Sequence, residues 1–253
     1  MKKKLTNEGN KITPPFYGTR SLVNISIDEV LLSLDERALF NVSWGIKHKD
    51  EQEKSKLLKK EYKPLLKELK NEAIRKNWLE LKAVYVYFKC RVHDEKMQIC
   101  NAKGKVIEEI HFYRSEDGFS LADYFCKGEE QEDFVTFQAV TIGDKVNHAI
   151  HLLNEKEEFT RAFLLHGLSA QIAEALAVYV HGIIRKDLGL AKGQGARYSP
   201  GYPLWSNIED QVKLFKILDI EKYIGVALTP GYQMVPEYST TAMIIRDNSH
   251  HSK

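Results

Sequence analysis

Between residues 172 and 184 the apolar side chains Ile172, Ala173, Leu176, Ala177, Tyr179, Val180, Ile183 and Ile184 cover most of the circumference of a helix. A helix apolar on nearly all sides cannot lie on a surface; other elements must wrap it. It closes a longer helical stretch, residues 146–188, with a break expected near Asn154. Glu174, His181 and Arg185 stand seven and eleven positions apart, close to one line along its axis. Such a narrow polar stripe is either a solvated edge with a Glu/Arg pair at its ends, or the wall of a cleft.

The wrapping must come from the β-rich half of the chain. Residues 83–92, 96–101 and 105–113 are short runs of strand-forming residues, separated by His93-Asp94-Glu95 and Ala102-Lys103-Gly104. That pattern predicts an antiparallel meander. Residues 19–25 and 134–142 read as further strands, the latter after a short helical piece at 121–125. Residues 225–228 read as a strand with 239–245 as its partner.

The remaining segments read as helices. Ser26 caps a helix with Asp28 and Glu29 in its first turn. Asp35 opens a second helical piece that ends near Trp44-Gly45, and an N-cap is the default role for an Asp there. Residues 50–77 form a charged amphipathic helix with Pro64 inside it, so a kink or a fresh start is expected at that point. Ser206 and Glu209 have capping-box spacing ahead of a helix ending near Leu218, and residues 220–223 give another turn.

Composition excludes several function classes. The 253 residues are 43% hydrophobic and 28% charged, enough for one elongated globular unit. That unit is expected over residues 13–246, between a flexible basic leader (1–12) and a polar tail (247–253). With 37 basic and 35 acidic residues the formal charge is +2, and the lysines alternate with glutamates as on a solvated helix, which argues against a nucleic-acid partner. Cys90, Cys100 and Cys126 are odd in number and lack a C-x-x-C pair, the usage of a reducing cytoplasm. No run approaches the roughly 18 consecutive apolar residues of a membrane span. H-E-x-x-H, P-loop and G-x-S-x-G motifs are absent, and Gly193-Gln194-Gly195 follows a helix where a dinucleotide fingerprint would follow a strand. His148 and His151 share a helical face with Asp144 and Glu155, a spacing compatible with a metal but equally common on solvated helices.

The most distinctive stretch is Arg197-Tyr198-Ser199-Pro200-Gly201-Tyr202-Pro203. Two prolines hold it extended, and Gly201 between them permits a bend or a close backbone approach. The segment is expected to be neither helix nor strand: a stiff connector, or a loop offering a cation, aromatic rings and backbone polar groups to a flat, charged ligand.

These segments carry a family resemblance. Asp133-Phe134-Val135 through Ala139-Val140-Thr141, Ala173-Glu174-Ala175 with Tyr179, His181 and Arg185, the Arg197–Pro203 loop, and Leu228-Thr229 with Met234-Val235-Pro236 and Ser239 occur in the order and approximate spacing of the AdoMet-binding activation domain of cobalamin-dependent methionine synthase. Pro14-Pro15-Phe16-Tyr17-Gly18-Thr19-Arg20 resembles the linker into that domain, and Leu39-Phe40 with Trp44 its first helical motif. The resemblance implies a single C-shaped α+β domain with a central antiparallel sheet flanked by helices. It implies S-adenosylmethionine (AdoMet) contacts at Asp35, Glu174, Arg197, Ser199, Gly201 and Tyr202, and no metal held by this chain. Its implied activity is reductive remethylation of cob(II)alamin. Because the chain has its own Met1 and no visible cobalamin domain, the cobalamin is expected on a partner, either a methionine synthase or another corrinoid protein, with a flavodoxin-like electron donor. The alternative is a cap or assembly factor for a corrinoid protein that makes no productive use of AdoMet.

Overall fold

The structure is a computed structural model that describes residues 12–47, 50–128, 132–191 and 193–246. The expected leader, apart from Ile12, and the expected tail with His250 and His251 lie outside the described residues.

The centre of the molecule is an antiparallel sheet. Its strands are β1 (Gly18–Leu22), β2 (Lys82–His93), β3 (Lys96–Cys100), β4 (Val106–His111), β5 (Asp133–Thr141), β6 (Ala196–Tyr198) and β9 (Ser239–Ile245). The order is β4-β3-β2-β5-β9-β6, with β1 pairing the first half of β2. Strand β2 reads as a nearly continuous apolar run because it is covered on both faces: Tyr85 and Tyr87 point to one core, Val84 and Val86 to the other, and all four are fully buried. The expected meander is β2-β3-β4, closed by the His93–Lys96 register.

One face of the sheet carries α1 (Ile27–Leu31), α2 (Glu36–Ala38), α3 (Glu51–Leu57), α4 (Lys63–Arg75), α5 (Lys145–Glu155) and α6 (Phe159–Asp187). Pro64 falls in the first turn of α4, where its missing N–H is not needed, and a π-turn at Leu58–Tyr62 joins α4 to α3. Strands β2, β5 and β9 lay alternate side chains against α6, while Trp44 covers its first half and donates from Nε1 to the Leu164 carbonyl at 2.9 Å. Helix α6 is long and apolar enough to cross a bilayer by length and composition, but 61% of its most apolar window is buried inside the protein, as for a core helix. The other face carries α7 (Asp210–Leu218), α8 (Ile220–Ile224) and Trp205.

Two local expectations are corrected. Strand β9 does not pair with residues 225–228; Ala227–Leu228 (β7) pairs with Met234–Val235 (β8), and β9 is inserted between β5 and β6. Five consecutive residues of β9 are buried, and a two-stranded hairpin would have left one face of them wet. Helix α7 begins at Asp210, past the capping box expected at Ser206–Glu209. There Asn207 accepts the Glu209 N–H at 3.2 Å, a local turn that competes with helix formation, and the Asp210 carboxylate is held by Trp205 Nε1 at 2.8 Å.

Candidate functional site

Strand β6 forms the edge of the sheet next to α6. The Arg197 segment, expected to be wholly irregular, contributes three residues to this strand, with Arg197 opposite Ile244 and Tyr198 opposite Met243. The prolines lie beyond the paired residues and do not remove a ladder donor. Arg197 and Ser199 thus project from the same side of the edge as Thr240 and Ala242 of β9, the side on which α6 packs.

A cleft of about 300 to 1,000 Å³ is the size of a small-molecule site. Here one of about 670 Å³ opens between α6 and this edge, lined by Glu174, Arg197, Tyr198, Ser199, Tyr202, Pro203, Leu204, Thr240 and Ala242. Arg197 Nη2 donates to Glu174 Oε2 at 3.2 Å across its mouth. The Glu174 partner is therefore not Arg185, and the stripe on α6 faces the cleft at its Glu174 end. Both charges keep access to water, with the Arg197 and Glu174 side chains 24% and 55% exposed.

The loop after β6 is closed on itself. Ser199 Oγ donates to the Thr241 carbonyl at 2.5 Å, Gly201 N–H to the Trp205 carbonyl at 2.8 Å, and Trp205 N–H to the Tyr202 carbonyl at 2.8 Å. Gly201 has φ of +87°, and a Cβ there would stand 2.8 Å from Ile208 Cδ1, so only glycine fits the bend. The turn leaves the Tyr202 side chain 68% exposed at the rim. At the other wall, burial pushes the Tyr198 hydroxyl above its ordinary pKa, and that hydroxyl lies 3.4 Å from the Tyr124 hydroxyl.

Of the six residues singled out in the sequence, Glu174, Arg197, Ser199 and Tyr202 line one cleft, and Gly201 shapes its loop. Asp35 does not line it. Its Oδ1 accepts the Ala38 N–H at 2.9 Å, the N-cap role expected for an Asp at that junction. Thr240 and Ala242 were not singled out, and the period-2 pattern of β9 was the signal for them once the strand is placed beside β6. A second hollow of about 550 Å³ lies along α5, lined by Lys76, Trp78, His148 and Lys156 among others. Asp144 accepts there from Asn147 at 3.0 Å, and among the described residues no group of three His, Cys, Asp or Glu side chains could hold a metal.

Residues 27–252 match the family described as vitamin B12 dependent methionine synthase, activation domain. The methionine synthases of Mycobacterium tuberculosis and Mycobacterium leprae are 27% and 26% identical to the chain over 265 and 271 residues. Each match spans 92% of this chain but 22% of the relative, so the chain corresponds to about a fifth of those enzymes. A crystal structure of the MetH reactivation domain bound to AdoHcy superposes with a TM-score of 0.80 at 21% identity, covering 92% of this chain and 80% of that one. The chain belongs to the activation-domain family of vitamin B12 dependent methionine synthase.

Proposed function

We propose that the cleft between α6 and the β9–β6 edge binds AdoMet, and that the chain supports reductive remethylation of cob(II)alamin carried by a partner corrinoid protein. It would act as the reactivation component of a cobalamin-dependent methionine synthase, in the cytoplasm, with residues 13–246 as the working domain. The observation that carries the reading is the Arg197–Glu174 pair at the mouth of a cleft of ligand size. Likeness to a reactivation domain bound to AdoHcy supports it.

The residues present fit the ligand. AdoMet has a carboxylate, an ammonium and a sulfonium, and supplies a methyl group. Arg197 can turn its fork from Glu174 to the carboxylate, an exchange of one charge-assisted pair for another. Glu174 is then left as an anion beside the cationic end. Asp35, whose cap uses one carboxylate oxygen, stands outside the cleft lining, so the ammonium is assigned to the Glu174 carboxylate. The Ser199–Gly201 backbone and the Tyr202 ring meet the adenine, with Ala242 of β9 also lining the cleft.

The chain's own part is binding, orientation and charge placement. The overall change takes one electron from a flavodoxin-like donor and a methyl cation from AdoMet, and leaves methylcobalamin and S-adenosylhomocysteine (AdoHcy). The test is an anaerobic reaction of a cob(II)alamin-loaded methionine synthase lacking its own activation domain with electron donor and methyl-labelled AdoMet. Label should pass to cobalamin only when this chain is added. Equal transfer with and without the chain would refute the reactivation role.

A further inference from the structure

His181 lies on the polar line of α6 two turns beyond Glu174, and the function proposed above leaves it without a task. Its side chain is buried, with the residue 4% exposed, and Nε2 has no hydrogen-bond partner among the described residues. An unsatisfied buried polar group is costly enough to need a reason. What the ring faces is bare backbone. A Cβ on Gly195 would stand 2.9 Å from Nε2 and 3.3 Å from the Ile245 carbonyl oxygen, and Gly195 has φ of +86°. Gly195 is the residue immediately before β6, so the imidazole seats the corner from which Arg197 is presented to the cleft.

The charges acting on the ring are both positive. Burial first, then Arg185 one turn along the same helix and Arg197 on β6, push the imidazole down to about 4. Arg185 itself has its Nε buried without a partner among the described residues. Two guanidinium groups therefore share one corner with a ring that stays neutral at ordinary pH. A third cation there would repel Arg197, whose side chain is 24% exposed at the cleft.

We propose that His181 is a positioning residue for Arg197: as a neutral imidazole it seats the Gly195 corner and keeps the Arg197 guanidinium at the cleft, and a positive charge at position 181 drives Arg197 out of place. The proposal rests on the reading of the cleft as an AdoMet site.

The test uses the full chain with AdoHcy as the calorimetric probe, and His181 ring NMR in the ligand-free protein, the signal being assigned by its absence in His181→Gln. His181→Gln, neutral and of similar reach, should bind within about threefold of wild type, whereas His181→Lys should bind about 100-fold more weakly. Adding Arg185→Gln to His181→Lys should restore about tenfold of that loss, which a pure packing defect would not allow. In the ligand-free protein, Arg197→Gln should raise the His181 titration midpoint, because one of the two cations is gone. Equal affinities for the Gln and Lys variants, or a His181 midpoint unmoved by Arg197→Gln, would overturn the proposal. A wild type that binds no AdoHcy refutes the cleft reading instead, and a His181→Lys chain that does not fold leaves the NMR titration to decide the coupling.

Discussion

Replacing Arg197 by alanine separates what this side chain does for the fold from what it does for the ligand. In the ligand-free protein its ion pair among the described residues is to Glu174, at 3.2 Å to a side chain that is 55% exposed. Pairs with that much access to water contribute about 0.2–1 kcal/mol. For a chain of this size, such a loss lowers the melting temperature by at most about 4 °C. The backbone of β6 is untouched, since its pairing with β9 uses main-chain groups. Ligand binding should suffer more. A hydrogen bond from a charged donor to a carboxylate is worth about 1.5–3 kcal/mol, and at 1.4 kcal/mol per decade Arg197→Ala should raise the AdoMet Kd about 10- to 150-fold. Arg197→Lys should fall between, since it keeps the charge and loses the two-pronged geometry. Calorimetry gives the Kd and a thermal melt gives the stability, on the same samples. An alanine variant that binds within twofold of wild type would refute the role assigned to Arg197. So would a weakening accompanied by a collapse of the melt, since the residue would then be holding the fold.

Further outcomes follow from other parts of the site. Ala242→Leu places three extra carbons in the lining of the cleft and should abolish measurable AdoMet binding with a melt still cooperative; unchanged affinity would mean the ligand does not reach β9. Gly201→Ala forces a Cβ to 2.8 Å from Ile208 at a φ of +87°, and should destabilise the loop by about 1–3 kcal/mol, read from chemical denaturation. Trp205→Phe removes the buried donor to Asp210 and should lower stability by about 1–3 kcal/mol, read the same way. The His181 imidazole takes up a proton near 6.5 when unfolded and near 4 when folded. Between those values the unfolded state binds more protons, so stability is complete above about pH 6.5 and falls by at most about 3 kcal/mol on acidification to pH 4. His181→Gln should flatten that part of the stability curve; an unchanged slope would assign it to other groups.

Much of this architecture is legible in the sequence because it is locally encoded. The all-round apolar character of 172–184 required a wrapped helix, and α6 is wrapped. The departure from regular α-helix just before Pro64, where a kink or a fresh start was expected, and the β2-β3-β4 meander follow from proline geometry and from short turns between β-rich runs. What is not locally encoded is which strand pairs with which. Residues 239–245 read as a strand, but nothing in them says that β5 and β6 are their neighbours; placing them beside 225–228 hid Thr240 and Ala242 from the site. Arg197 illustrates a second limit. Pro200 and Pro203 dominate the reading of the segment, yet the three residues before them keep their N–H groups and complete the sheet edge. The Glu174–Arg197 contact was reachable only by combining a helix line with a short linker, Gly189 to Ala196, that keeps the two segments close. Asp35 shows the reverse: its local capping signal describes its observed bond, and its place relative to the cleft depends on tertiary packing.

The most direct measurement is a calorimetric titration of the unmodified chain with AdoMet, followed by the same titration of Glu174→Gln. The account predicts saturable heat with one site per chain for the first and clearly weaker binding for the second. No heat from the unmodified chain at saturating ligand, or binding that is indifferent to Glu174, would contradict it.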